Sequence, residues 1–314
     1  MLTGLSAGIT WALETVVLAA ALGMISSDSL TQSALLPLAA TFLHDAFSAL
    51  YMFAYNTVRG NLKKLPQVVR SSGFRWLVAA SSVGGPVGMT GYVLAVGNMG
   101  AAAGAVASAV YPAIGTALAC VFLKEKVKWY RWVFLLAALA GVFGLSYSPG
   151  SGVENIWLGL LGVAMCSLGW GTEAVILAKC FKSGEIGQSL ALGIRQAVSA
   201  LIYAAVILPV TGGWKLTAGL FGGGTGMFVP AVAAAAFFAS VSYMLYYRTI
   251  ASAGAAKAMA LNITYTAWAI FFTCIITGKT DILSPFTVCC AAAVVIFGIL
   301  AAADFRALFA RKNK

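Results

Sequence analysis

The sequence predicts an all-α integral membrane protein: ten transmembrane helices arranged as two inverted five-helix repeats, residues 1–149 and 150–314. Three observations predict it. The 314-residue chain is 61% hydrophobic and 9% charged, against about 25% charged residues in a soluble domain, and its mean hydropathy is +0.92. Apolar runs of about 20 residues, the length that crosses a bilayer, recur along the whole chain. Phrases of the first half also return in the second: W-A-L-E-T-V-V-L-A-A (11–20) reappears as W-G-T-E-A-V-I-L-A-K (170–179).

The first run, 5–26, has no basic leader and carries Glu14 at mid-span. It is expected to be the first span and not a cleaved signal peptide. The second, 32–56, contains His44 and Asp45. The third, 74–97, is interrupted by G-G-P-V-G-M (84–89). Gly and Pro loosen a membrane helix and free backbone carbonyls, so this stretch is either a hinge opening onto a cavity or a close-packing surface. The fourth, 101–123, begins on a small-residue face (99–110) and closes with F-L-K-E-K-V (122–127), and 130–147 completes the first half. The second half opens with 154–180, which holds Trp170 and Glu173, and continues with 186–210, which holds Arg195 and Gln196. Next comes 228–250, with Tyr243, Tyr246 and Tyr247 on one face. Then 255–277 carries Asn262, Tyr265 and Trp268 at three-residue spacing after a small-residue face (253–260), and 284–305 is last. The loops are short, so no soluble domain is expected.

A net charge of +11 in a soluble chain would point to nucleic acid; here the excess of Lys and Arg on cytoplasmic loops accounts for it. Arg59, Lys63, Lys64, Arg70 and Arg75 lie between spans two and three. Lys124, Lys126, Lys128 and Arg131 lie between four and five, Lys179 and Lys182 between six and seven, and Arg248 and Lys257 between eight and nine. Arg306, Arg311, Lys312 and Lys314 fill the tail. Only Lys215 and Lys279 fall on the other face, and Arg195 falls inside span seven. An even number of spans then puts both termini on the cytoplasmic side, and Lys257 is expected to reach that face by extending its stem. Six cysteines without metal-ligand spacing, and a single histidine, predict packing residues, no metal, no cofactor and no enzyme active site.

The repeated phrase has companions. Trp11 and Glu14 match Trp170 and Glu173 at an offset of 159; A-F-S-A-L (46–50) matches A-V-S-A-L (197–201) at 151; Tyr111 and Cys120 match Tyr265 and Cys274 at 154. Each match joins span n to span n + 5. Five helices is an odd number, so the second copy enters the membrane from the opposite side, the architecture many secondary transporters use for alternating access to a midplane site.

A charge in hydrocarbon costs several kcal/mol unless it faces a cavity or a partner. Glu14, His44, Asp45, Glu173 and Arg195 all lie within spans. Three acids against one arginine leave room for a proton or a bound cation; the alternative is that the acids pair internally. His44 and Asp45 are neighbours pointing about 100° apart, so they are not expected to face each other; one should reach the cavity and the other a helix interface. Arg195 and Gln196 are their counterparts in the second half. Burial favours the neutral form of an acid, so Asp45 or a Glu is a candidate for proton exchange, with sodium an alternative.

Residues three apart share a helix face, which puts Trp11 beside Glu14 and Trp170 beside Glu173. With Tyr111, Tyr265 and Trp268 they suit a soft organic cation, held by ring faces and a nearby carboxylate. Asn262, Gln196 and the ionisable residues of spans two and seven would serve ion coupling or gating. Trp76, Trp129, Trp132 and Trp157, near span ends, are expected to be interfacial anchors.

Ten spans in two inverted halves, with F-L-K-E-K-V closing span four, resemble the EamA-type drug/metabolite transporter superfamily. G-I-T-W (8–11), H-D-A-F-S (44–48), G-P-V-G-M (85–89), S-A-V-Y-P-A-I (108–114), G-W-G-T-E-A-V (169–175), I-R-Q (194–196), A-K-A (256–258) and N-I-T-Y-T-A-W (262–268) resemble, within it, the bacterial choline permeases that feed phosphorylcholine decoration of cell surfaces. The resemblance implies a multi-pass protein of the bacterial inner membrane. It also implies import of choline or a related quaternary amine, driven by an ion gradient of protons, with Glu173 as counter-charge. Glu14 departs from it, because a small residue is expected there in relatives. The same fold also serves exporters of amino acids, drugs and metabolites; a net negative aromatic cavity favours the cation importer, since an amino-acid exporter should offer its substrate carboxylate a fixed cation.

Overall fold

Lipid offers the backbone no hydrogen-bond partner, so each long apolar run satisfies its own amides as a helix. The structure, a computed structural model, describes residues 1–25, 30–99, 101–146, 155–222, 226–278 and 280–304. Lys279, Arg306, Arg311, Lys312, Lys314 and the expected boundary between residues 149 and 150 lie outside the described residues, as do the side chains of 101–107.

The long helices are α1 (Leu2–Leu22), α2 (Leu30–Val58), α3 (Ser72–Met99), α4 (Ala101–Phe122), α5 (Trp129–Ser146), α6 (Ile156–Ser183), α7 (Gln188–Thr211), α8 (Phe228–Ala253), α9 (Ala255–Ile276) and α10 (Pro285–Ala302); short helices at Leu65–Arg70 and Trp214–Gly219 lie in the connections. Among the described residues, nine of these are long and apolar enough to cross a membrane, and the described part of α4, Ser108–Phe122, is a shorter apolar helix. Local chemistry sets several ends. Asn155 caps α6 by accepting from the amides of Trp157 and Leu158, and Gly184 ends it in a left-handed conformation. Ser284 caps α10 with Pro285 in its first turn. Glu125, from F-L-K-E-K-V, accepts from the amides of Ala255 and Ala256, placing a carboxylate at the positive end of α9.

The interrupted third span is a real interruption. A π-helical turn, Val83–Val87, contains Pro86 in α3, and a second one, Tyr203–Ile207, lies in α7. α1 packs along α8 and α6 along α3; α6 also packs on α4, and α1 on α9. α2 crosses α7, α5 crosses α10, α2 meets α8 and α7 meets α3. Exchanging helices five apart turns each pairing into another of these or into itself. Where α3 and α6 cross, a methyl on Gly91 would sit 2.6 Å from the Cys166 amide nitrogen, so the two backbones are in contact through glycine, as expected where packing rather than hydrophobicity joins helices.

The basic segments gather at one end of the bundle. Asn61 donates to Ser189, Lys179 lies over the Trp76 ring, Arg131 donates to the Ala303 carbonyl at 3.1 Å, and Lys257 shares a small crevice with Arg131. Arg131, expected as a loop charge, is buried. Trp76, Trp129 and Trp157 are exposed as expected of anchors, whereas Trp132 is half-buried against Leu135 and Ala301.

Candidate functional site

α1 carries Trp11 and Glu14 on one face, and α6 carries Trp170 and Glu173. Trp11, Glu14 and Trp170 line a cavity of about 190 Å³. His44 and Asp45 from α2, Arg195 from α7, Tyr243 from α8 and Tyr265 from α9 complete its polar and aromatic wall. It runs on to Leu18, Leu22 and Pro37, toward the end of the bundle opposite the basic loops. A smaller cavity of about 30 Å³ continues the other way, lined by Tyr111, Glu173, Tyr246, Tyr247 and Asn262. Trp11, Trp170, Tyr243 and Tyr265 line both, so four aromatic rings stand between an outer compartment holding Glu14 and an inner one holding Glu173.

The charges form one chain through the site. Arg195 Nε donates to Glu173 Oε1 at 2.9 Å and Nη1 to Gln196 Oε1 at 2.7 Å; Nη1 lies 3.7 Å from Asp45 Oδ2. Asp45 Oδ2 also accepts from Ser199 at 2.5 Å, and its Oδ1 lies 3.0 Å from His44 Nδ1. His44 Nε2 is buried without a hydrogen-bond partner, 3.5 Å from Glu14 Oε1. Among the described residues Glu14 otherwise receives only Thr15, at 3.3 Å. Glu173 is therefore satisfied by an arginine and Glu14 is not.

The side-chain bonds come in reciprocal sets. Asn262 donates to the Tyr111 hydroxyl, and Tyr265 donates to Ser108, both at 2.8 Å; the residues of the second bond stand 154 positions from those of the first. Gln196 donates to Ser48 at 2.9 Å, and Ser199 to Asp45, with all partners related by an offset of 151. Glu14 beside His44 likewise answers Glu173 beside Arg195. The rings meet edge to face: Trp11 with Tyr243 at 4.8 Å between centres, and Trp170 with Tyr111 at 5.7 Å. Tyr92 also stacks on Trp170 at 6.2 Å, and Arg195 stands over the Tyr243 ring, a cation on a ring face.

Residues 1–147 match the EamA-like transporter family. The match covers just under half of the chain. The similarity extends further along the chain. Protein LicB of Haemophilus influenzae is 29% identical over 200 residues, an alignment covering 63% of this chain and 66% of LicB; the match thus spans just under two thirds of that relative's length. A crystal structure of a protein 17% identical superposes with a TM-score of 0.71 and covers 96% of both chains, which shows a shared fold. Among the described residues no group of His, Cys, Asp and Glu is placed to hold a metal ion.

Most of the residues singled out above converge on the two compartments. Trp11, Glu14, His44, Asp45, Trp170, Arg195 and Tyr265 line the outer one, and Tyr111, Glu173 and Asn262 the inner one. Gln196 stands behind them, bonded to Arg195 and Ser48. Trp268 does not join them. It lies in an apolar groove between α9 and α10 with Phe271, Cys274 and Val295, because α9 breaks at a turn over Ile263 and Thr264 and the stripe begun by Asn262 and Tyr265 leaves the cavity. The expectation that His44 and Asp45 face apart also fails. Both line the outer cavity and their side chains bond to each other, since two χ angles suffice to bend long side chains across a 100° separation. Ser48, Ser199 and Ser108 are the site residues that sequence reasoning missed. The first two sit inside the matching A-F-S-A-L and A-V-S-A-L phrases, where the common serine was the available signal.

G-G-P-V-G-M borders the outer cavity through Gly84 and Met89 and is also a close-packing surface. Trp170 Nε1 donates at 2.9 Å to the Gly84 carbonyl, one that the π-helical turn leaves available. A Cβ on Gly84 would overlap the Glu173 carboxylate, and one on Gly85 would overlap Ser199. Both side chains thus seat themselves on bare backbone.

Proposed function

We propose that this protein is a secondary transporter of an organic cation of the choline class, working by alternating access between two inverted five-helix repeats. The observation that carries the reading is Glu14: a buried carboxylate without an arginine partner, facing a cavity walled by Trp11, Trp170, Tyr243 and Tyr265. At about 30 Å³ per water, 190 Å³ holds a cation of roughly six to eight heavy atoms. A quaternary ammonium makes few hydrogen bonds and is held by ring faces and one negative charge. Glu173, the counter-charge implied by resemblance, is engaged by Arg195, so in this arrangement Glu14 is the counter-charge. The repeat architecture is supported by the exchange symmetry of the helix pairings and by the reciprocal bonds.

The basic loops, cytoplasmic by the positive-inside rule, lie at the packed end, where Leu177, Met259 and Ile250 are buried in one core. The outer cavity then faces outward, and import begins from this state. Protons are the coupling ion of the reading, with Glu14, His44 and Asp45 as exchanging groups. Export of amino acids fits less well: the central arginine already binds Glu173 and leaves no fixed cation for a substrate carboxylate. Uptake of radiolabelled choline into proteoliposomes with an imposed pH gradient tests the reading. Accumulation that collapses with the gradient is expected; transport of zwitterionic amino acids without choline uptake would sink it.

A further inference from the structure

We propose that Arg195 is a tethered cation that stands in the wall of the outer cavity and caps the inner carboxylate, and that an organic cation reaches Glu173 only when the guanidinium moves aside toward Asp45. The inference rests on the cation-transport reading above. This side chain already makes the two contacts an incoming cation would seek beside Glu173, a carboxylate and an aromatic ring face. Its Nε donates to Glu173 at 2.9 Å, its Cζ stands 4.9 Å from the centre of the Tyr243 ring, and Nη2 lies 3.4 Å from the Tyr243 hydroxyl. Tyr247 donates to the same Glu173 oxygen at 3.5 Å. What remains open beside Glu173 is about 30 Å³, the share of one water molecule at about 30 Å³ each. The inner carboxylate and rings therefore form a cation cage, and the chain itself fills it.

Two features make the filling exchangeable. A buried guanidinium cannot be left without a partner, and a second carboxylate is in place: Asp45 Oδ2 lies 3.7 Å from Nη1, just beyond hydrogen-bond reach. Gln196, adjacent in sequence, holds Nη1 at 2.7 Å and can accompany the move. The second feature is the contrast between related positions. In the first half the base beside the acid is His44, 3.5 Å from Glu14, and that acid faces the open cavity; in the second half the base is a permanent cation in direct contact, and that acid is sealed. The accessible half holds its carboxylate ready for a ligand, while the inaccessible half holds its carboxylate capped. Arg195 is thus a specificity-determining competitor: a cation must displace it to pass the four aromatic rings.

Equilibrium binding of radiolabelled choline to the purified full-length chain, counted per chain, tests this. One equivalent is expected for the unaltered protein, two for Arg195→Gln, and one again for Arg195→Gln combined with Glu173→Gln. One equivalent in both the unaltered protein and Arg195→Gln overturns the proposal and leaves the cation reading standing. None in the unaltered protein and one in Arg195→Gln overturns the outer-site reading and supports the role of Arg195; none in either overturns both. If Arg195→Gln does not fold, Arg195→Lys is read instead. Its ammonium lacks the planar fork, so the second equivalent should appear at a concentration at least tenfold above the first, and its absence up to a hundredfold above overturns the proposal.

Discussion

Glu14 and Glu173 start from the same local phrase, a Trp three residues before a Glu on an apolar helix, and end in different company. Glu173 contacts Arg195 Nε at 2.9 Å and the Tyr247 hydroxyl; Glu14 has Thr15 at 3.3 Å and His44 at 3.5 Å. Removing a charge from a buried pair strands its partner, at about 2–5 kcal/mol, whereas Glu14 has no strongly bonded partner to strand. Glu14→Gln is therefore expected to fold normally and to weaken choline binding by about thirtyfold or more, the fold-change of a desolvated charge contact of ~2 kcal/mol upward at about 1.4 kcal/mol per tenfold. Binding isotherms check it, and unchanged affinity would remove Glu14 from the site. A glutamate and its motif are visible in sequence; its partner 22 positions away on the next helix is not, because only the packing of α6 against its neighbours decides what each carboxylate meets.

At the scale of the element, α3 decides how close α6 comes. The π-helical turn over Val83–Val87 lends a carbonyl to Trp170 and a bare backbone to Glu173 and Ser199. Gly84→Ala would put a methyl where the Glu173 carboxylate sits. Overpacking of this kind costs about 1–3 kcal/mol, and it pushes the carboxylate off Arg195. A lower thermal unfolding temperature together with a more than tenfold loss of uptake is expected; intact uptake would mean that α3 shifts to accommodate the methyl. The glycines and the proline were legible as an interruption. Their target was not, since it lies on a helix some 90 residues further along. Trp268 shows the limit of periodicity: three-residue spacing from Asn262 predicts one face, and the turn over Ile263 and Thr264 breaks it.

For the whole molecule, the cavity reaches Leu18 and Leu22 at one end, while Ile250, Met259 and Leu190 close the other. In a variant cleared of native cysteines, Leu22→Cys is expected to react with a membrane-impermeant maleimide added outside cells, and Met259→Cys to be protected from either side. Labelling of Leu22→Cys only from the cytoplasmic side would reverse the assigned orientation. Tyr111 with Asn262 and Tyr265 with Ser108 bond across the site, and an offset of 154 turns each bond into the other.

The membrane class, the approximate limits of the spans, the repeated phrases and most of the central residues followed from sequence alone. Apolar length and periodicity are local properties, and lipid permits the backbone no alternative to the helix. Which acid carries a permanent cation and which faces the cavity, that His44 and Asp45 touch, and that Trp268 points away were decided by tertiary structure. Each depends on distances between helices far apart in the chain, and a difference between 2.9 Å and 3.5 Å separates a neutralised carboxylate from an available one.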